Sequence, residues 1–146
     1  MPRFRFSLER VLDYRRQLED QAKMDVAKAL AAHNERAQHL DKLQVKLAQH
    51  EASLYSEEAI TEKDIWLWRR YFSALKDDIS TAEAQLQKLA KILTEARQRL
   101  MTRSRDKKLL ERLKANQEGA FRKEENLKEQ RESDEMATIR FQHGSF

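Results

Sequence analysis

The residue types able to do chemistry in this chain are sparse and poorly spaced for it. No two of the four histidines, His33, His39, His50 and His143, stand three or four positions apart, the spacing at which one helix face offers two ligands to a metal. They read as solvated side chains, and no metal or other cofactor is expected. The chain has no cysteine, which excludes a thiolate nucleophile, a disulfide framework and a zinc-cysteine site. It also has no glycine-rich phosphate loop and no His-Glu-x-x-His run. What it does carry is charge in blocks. Glu51, Glu57, Glu58, Glu62 and Asp64 stand against Lys63, which leaves residues 51–64 at net −4. Residues 95–114 are net +5, with Arg97, Arg99, Arg103, Arg105, Lys107, Lys108, Arg112 and Lys114 as the bases, and residues 3–16 are net +3. Glu57 and Glu58 could share a Mg²⁺ at the tip of a hairpin entering a polymerase channel, a reading that rests on shape alone. The basic runs suit an acidic surface, either a phosphate backbone or a protein. No aromatic residue interleaves the bases of 97–114, so no direct nucleic-acid partner is expected.

The elements that must position these blocks are helices. More than half of the 146 residues are Ala, Glu, Lys, Leu or Arg, and only two Gly and one Pro are present. Neither Gly nor Pro occurs between Pro2 and Gly119, so the turns that sheets depend on are missing and the fold class is all-α. With 37% charged residues, apolar burial is confined to a narrow seam. That seam is explicit in the second half. Ile65, Trp68, Phe72, Leu75, Ile79, Ala82, Leu86, Leu89, Leu93, Ala96 and Leu100 alternate steps of three and four, a heptad series that keeps one stripe on a partner helix. The first half carries a looser stripe: Phe4, Leu8, Val11, Leu18, Ala22, Ala29 and Ala32, then Leu40, Leu43, Leu47 and Leu54. Periodicity lapses between the stripes, and Thr61 followed by Asp64 forms a capping-box pattern with Asp in place of Glu. The expectation is a single coiled-coil domain over 1–146, a long two-helix antiparallel hairpin. Helix one covers about 4–54, the tip about 55–61 and helix two about 62–140. This pairing sets Leu47 opposite Phe72, Leu40 and Leu43 opposite Leu75 and Ile79, and Ala29 and Ala32 opposite Leu86 and Leu89. Helix two overhangs at its C-terminal end, and the tail from about 115, poor in apolar anchors, is expected to be disordered until a partner holds it. Such a hairpin offers no water-excluding pocket for catalysis. The two basic segments meet at its open end.

Beyond the seam, helix two carries apolar residues that pairing does not need. With Ile65 at position a and Trp68 at d, Trp66 falls at b, Leu67 and Ala74 at c, and Tyr71 at g. Leu67, Tyr71 and Ala74 form a second stripe, of the kind that anchors interfaces. The competing expectation is extra core at a widened tip, with Tyr55 and Ile60 folded over the rings. No run approaches the roughly 18 apolar residues that cross a bilayer, and Arg3, Arg5 and Arg10 are not followed by a signal-like apolar stretch. The expected setting is the cytoplasm.

The opening Phe4-Arg5-Phe6-Ser7-Leu8-Glu9-Arg10-Val11-Leu12-Asp13-Tyr14-Arg15, the segment Leu18-Glu19-Asp20 before an Ala-rich helix, the aromatic segment after the tip, and the closing Glu129-Gln130-Arg131-Glu132-Ser133-Asp134-Glu135-Met136-Ala137 together resemble the flagellar FliJ-type export proteins. Injectisome stalk proteins of type III secretion are similar in build. The resemblance implies a non-enzymatic coiled-coil stalk, similar to the rotor shaft of rotary ATP synthases, that sits in the hexameric flagellar export ATPase and promotes its assembly and activity. It further implies a link to the cytoplasmic part of the export-gate membrane protein, placing the chain peripherally at the inner membrane, and handling of substrate-specific export chaperones. Carried over by the aromatic segment, Tyr71 and Leu75 match gate-contacting positions in type, while Asp78 and Ala82 stand where the family has a small apolar residue and a histidine. Tyr71 and Leu75, with the off-seam Trp66, Leu67 and Ala74 beside them, make up the expected gate contact. The resemblance implies that the paired ends face the ATPase, and the basic segments found there supply the expected contact: Arg3, Arg5, Arg10, Arg103, Arg105, Lys107, Lys108 and Arg112.

Overall fold

The structure, a computed structural model, describes residues 2–56 and 61–144. The tip residues Glu57 and Glu58, and the expected packing of the Tyr55 and Ile60 side chains, lie outside the described residues. Among those described there are two elements, helix α1 (Glu9–Ser56) and helix α2 (Glu62–Gly144), packed against each other, and no strand. The all-α hairpin follows from the composition as expected.

Both helix starts have local causes. Thr61 caps α2 reciprocally: Asp64 N–H donates to Thr61 Oγ1 at 3.2 Å, and Thr61 N–H donates to Asp64 Oδ2 at 3.2 Å. The shorter Asp thus closes the box, and Glu62 and Asp64 add negative charge to the first turn. Helix α1 begins at Glu9, later than the expected start near residue 4. Residues 2–6 are non-helical, Phe6 is buried, and the Phe4 ring lies 5.7 Å from that of Phe121. Residues two apart on a helix point roughly 200° away from each other, so a helix over Phe4 and Phe6 could not turn both rings inward. At the other end, α2 continues as helix to Gly144, with the Arg122–Glu118 ion pair at 3.0 Å along its flank. Residues 126–144 are helical and exposed throughout.

The packing divides into two compact units, one formed by residues 20–101 and the other by residues up to 19 with those from 102 onward. In the first, Leu43, Leu75 and Ala82 form a core against which Leu40, Leu47 and Ile79 pack. Leu40 and Leu43 thus meet Leu75 and Ile79, as the heptad pairing requires. In the second unit the buried residues are Phe6, Leu12 and Glu19. The looser stripe is corrected here: Leu8 and Val11 are exposed and Leu12 is fully buried. The α1 seam follows Leu12, Arg15, Glu19, Ala22, Val26, Ala29, His33, Arg36, Leu40, Leu43, Leu47, His50 and Leu54, again with steps of three and four, and all of these but the exposed Arg36 are at least partly buried. Five of these thirteen residues are polar or charged, so a search for apolar periodicity cannot follow the seam.

Candidate interaction surfaces

In the 20–101 unit, the aromatic segment of α2 is split between seam and surface. Trp68 is held by two bonds to α1. Its indole Nε1–H donates to the His50 carbonyl at 2.9 Å, and His50 Nε2 lies 2.9 Å from the Trp68 carbonyl. A carbonyl only accepts, so His50 Nε2 carries the proton in that bond. The two rings stack with centroids 4.7 Å apart, Tyr71 meets His50 edge-on at 4.7 Å, and Phe72 stacks on Trp68 at 5.0 Å. His50, expected to be solvated, is instead part of the packing. Leu75 is 4% exposed and lies in the apolar core. It backs the surface and offers no contact of its own, because its side chain is spent on the seam. Trp66 is 57% exposed, with the Arg70 guanidinium 5.2 Å above its ring, and Leu67 and Tyr71 are each 49% exposed. Ala74 is also exposed. Three large apolar side chains and one alanine therefore stand off the seam on two adjoining turns of α2.

In the other unit the bases divide between internal pairing and free display. Lys107 Nζ lies 2.9 Å from Glu19 Oε1, and Ser104 Oγ–H donates to Glu19 Oε2 at 2.8 Å. Arg15 reaches Asp106 at 3.2 Å, Arg16 reaches Glu111 at 3.8 Å, and Lys114 reaches Glu9 at 2.9 Å. These pairs cross from α1 to α2 where apolar seam residues give out. The hydrogen bond and the charge of Glu19 hold the Lys107 amine above its ordinary pKa. Lys107, expected on a contact surface, is therefore committed to the fold. Arg105, Lys108 and Arg112 have no acidic partner among the described residues, and together with Leu109 they line a shallow, open groove between their own side chains on one exposed face of α2. Arg3 borders a different cleft, of about 600 Å³, whose walls also include Glu118, Glu125 and Glu129. Arg5 and Arg10 are exposed, and Arg103 is half-buried at a seam position.

Among the described residues there is no cluster of three or more His, Cys, Asp or Glu able to hold a metal. A family model described as Flagellar FliJ protein matches residues 4–145, a span that includes both surfaces. The chain belongs to the FliJ family. No curated protein and no solved structure matches it. Membership makes the chain a flagellar protein associated with export, in a family of structural export components and not of enzymes. Among the described residues no helix is long and apolar enough to cross a membrane.

The residues that apolar patterning missed in this FliJ-family chain are His50, Glu19, Ser104 and Leu109. The first three share one detectable sign, a polar residue falling in step with, or next to, a heptad position. Leu109 stands among bases at helical spacing, Arg105, Lys108 and Arg112 being four before, one before and three after it.

Proposed function

We propose that this chain is the coiled-coil stalk of the flagellar export apparatus. In this reading the basic unit enters the ring of the hexameric export ATPase and promotes its assembly and activity. The off-seam aromatic surface binds the cytoplasmic part of the export-gate membrane protein, which brings the chain to the inner membrane without insertion. Substrate-specific export chaperones are further partners. The observation that carries the reading is the division of labour on α2. Phe72 and Leu75 are used in pairing, whereas Trp66, Leu67, Tyr71 and Ala74 leave apolar surface that folding does not require. A second support is the set of cations left over once Lys107 and Lys114 have been paired. Of the bases read from the sequence, Arg105, Lys108 and Arg112 are the ATPase contacts favoured by exposure, with Arg3, Arg5, Arg10 and Arg103 secondary to them.

The test is reconstitution of the purified chain with the export ATPase and, separately, with the cytoplasmic part of the gate protein. Stimulated ATP hydrolysis and a stable complex with each partner are expected. Absence of both would remove the stalk reading.

A further inference from the structure

Leu109 is 66% exposed, the most exposed leucine among the described residues, and it lies within a field of cations. At 100° per residue, Arg105, Lys108, Leu109 and Arg112 occupy a helical arc of about 100°, directly opposite Lys107 and Lys114 in the seam. The seam face of this turn neutralises its charges internally, through Glu19 and Glu9. The opposite face leaves three cations without a partner around one large apolar side chain. Among the described residues nothing packs on that face, and all four of its residues are exposed.

From this placement we infer that Arg105, Lys108, Leu109 and Arg112 form a docking site for an acidic helix of the export ATPase, one that presents a large apolar residue flanked by carboxylates about two turns apart. The inference rests on the stalk reading and specifies how the basic unit is gripped. Charge complementarity selects the class of partner: Arg105 and Arg112 are about 10 Å apart along the axis, a separation that carboxylates seven residues apart on a second helix reproduce. Leu109 argues against a phosphate backbone, which gains nothing from an aliphatic side chain. The groove also has no aromatic ring on which a base could stack. With Leu109 covered, the surrounding ion pairs lose water and strengthen, so the leucine acts as the anchor and the bases set orientation and encounter rate.

The experiment is a titration of the full-length chain against the purified export ATPase at several salt concentrations. The variants are Leu109→Ala, Leu109→Glu, and Arg105→Glu with Arg112→Glu, with circular dichroism as the check on helix content. Leu109→Ala leaves a helix-favouring residue at an exposed position and should weaken binding roughly tenfold with the salt dependence unchanged. Leu109→Glu should weaken it further, and the double charge reversal should flatten the salt dependence. If the wild type binds and stimulates the ATPase while Leu109→Ala and the charge reversal bind equally well, the docking site is wrong and the stalk reading stands. If the wild type neither binds nor stimulates the ATPase, both fall. A DNA or RNA duplex that binds the chain more tightly than the ATPase does, regardless of Leu109, would also overturn the inference and make the groove a phosphate site.

Discussion

Lys107 Nζ and Glu19 Oε1 lie 2.9 Å apart across the seam, at positions where a coiled coil ordinarily places aliphatic side chains. Glu19 is 3% exposed, and its second oxygen accepts from Ser104, so both carboxylate oxygens are bonded. Such a group fixes how α1 registers on α2, because sliding by one heptad would leave a buried charge without its partners. Glu19→Ala should therefore lower the melting temperature by several degrees, and by more than Arg15→Ala, whose ion pair is about one-third exposed. Replacing Glu19 and Lys107 together by leucine should recover stability while permitting alternative registers, detectable by cross-linking of cysteines introduced across the seam. A double variant as unstable as Glu19→Ala would deny the pair its registering role.

The same pair gives a pH dependence with a definite sign. The Lys107 amine is raised above the ordinary lysine value by Glu19, so the folded state holds that proton more tightly than the unfolded chain does. Its contribution is complete below the unfolded lysine pKa, about 10.4, and is lost as pH rises through the higher folded value. Wild type should lose stability relative to Lys107→Met above about pH 10.4, as followed by urea melts across the alkaline range. Parallel curves for the two proteins would exclude the linkage.

The position of the α1 seam makes a sharper distinction between neighbours. Leu12 is fully buried and Val11 is exposed. Leu12→Ala should cost about 2–5 kcal/mol, and Val11→Ala about 0.5 kcal/mol or less, in matched denaturant melts. Equal costs would mean that the first turns of α1 are rotated relative to the geometry described.

What could be read from the sequence and what could not follow one physical line. The all-α class, the α2 heptads and the Thr61 capping box depend on side-chain type at fixed spacing, which a single sequence displays directly. The start of the α1 seam is hidden from apolar patterning because Arg15 and Glu19 occupy its positions, and only their partners Asp106, Lys107 and Ser104 make them tolerable inside. His50 looks solvated in the sequence for a similar reason, since its stacking on Trp68 depends on a residue eighteen positions away. The aromatic stripe was legible as a surface except for Leu75, which the heptad already placed at d. At Leu75 the family resemblance and the heptad periodicity disagree, and its burial follows the periodicity.

Thr61 and Asp64 begin α2 through two reciprocal bonds of 3.2 Å. Thr61→Ala should cost about 1 kcal/mol, with the loss confined to the first turn of α2 and visible as faster amide exchange there. Asp64→Glu should retain the box, because a longer acid is the commoner partner at that position. Unchanged exchange in Thr61→Ala would show that tertiary packing alone sets the start of the helix.

Tyr71 and Phe72 are adjacent but spend their rings differently, which separates binding from folding. Phe72 is half-buried, stacks on Trp68 at 5.0 Å and carries the Lys76 ammonium 4.6 Å from its ring, whereas Tyr71 is about half exposed and touches His50 only by an edge. Phe72→Ala removes a half-buried ring and its stacking on Trp68 and should cost about 2 kcal/mol of stability. Tyr71→Ala should cost less stability but about 1–2 kcal/mol of affinity for the cytoplasmic part of the gate protein, as truncation of an interface anchor does. Trp66→Ala belongs with Tyr71→Ala on this reasoning, since its ring is more exposed still and carries the Arg70 guanidinium above it. Leu75→Ala belongs with Phe72→Ala. The measurement is a titration against the gate fragment beside a thermal melt of each variant. If Tyr71→Ala and Trp66→Ala melt like Phe72→Ala and bind the gate fragment normally, the stripe is part of the core and the gate assignment fails.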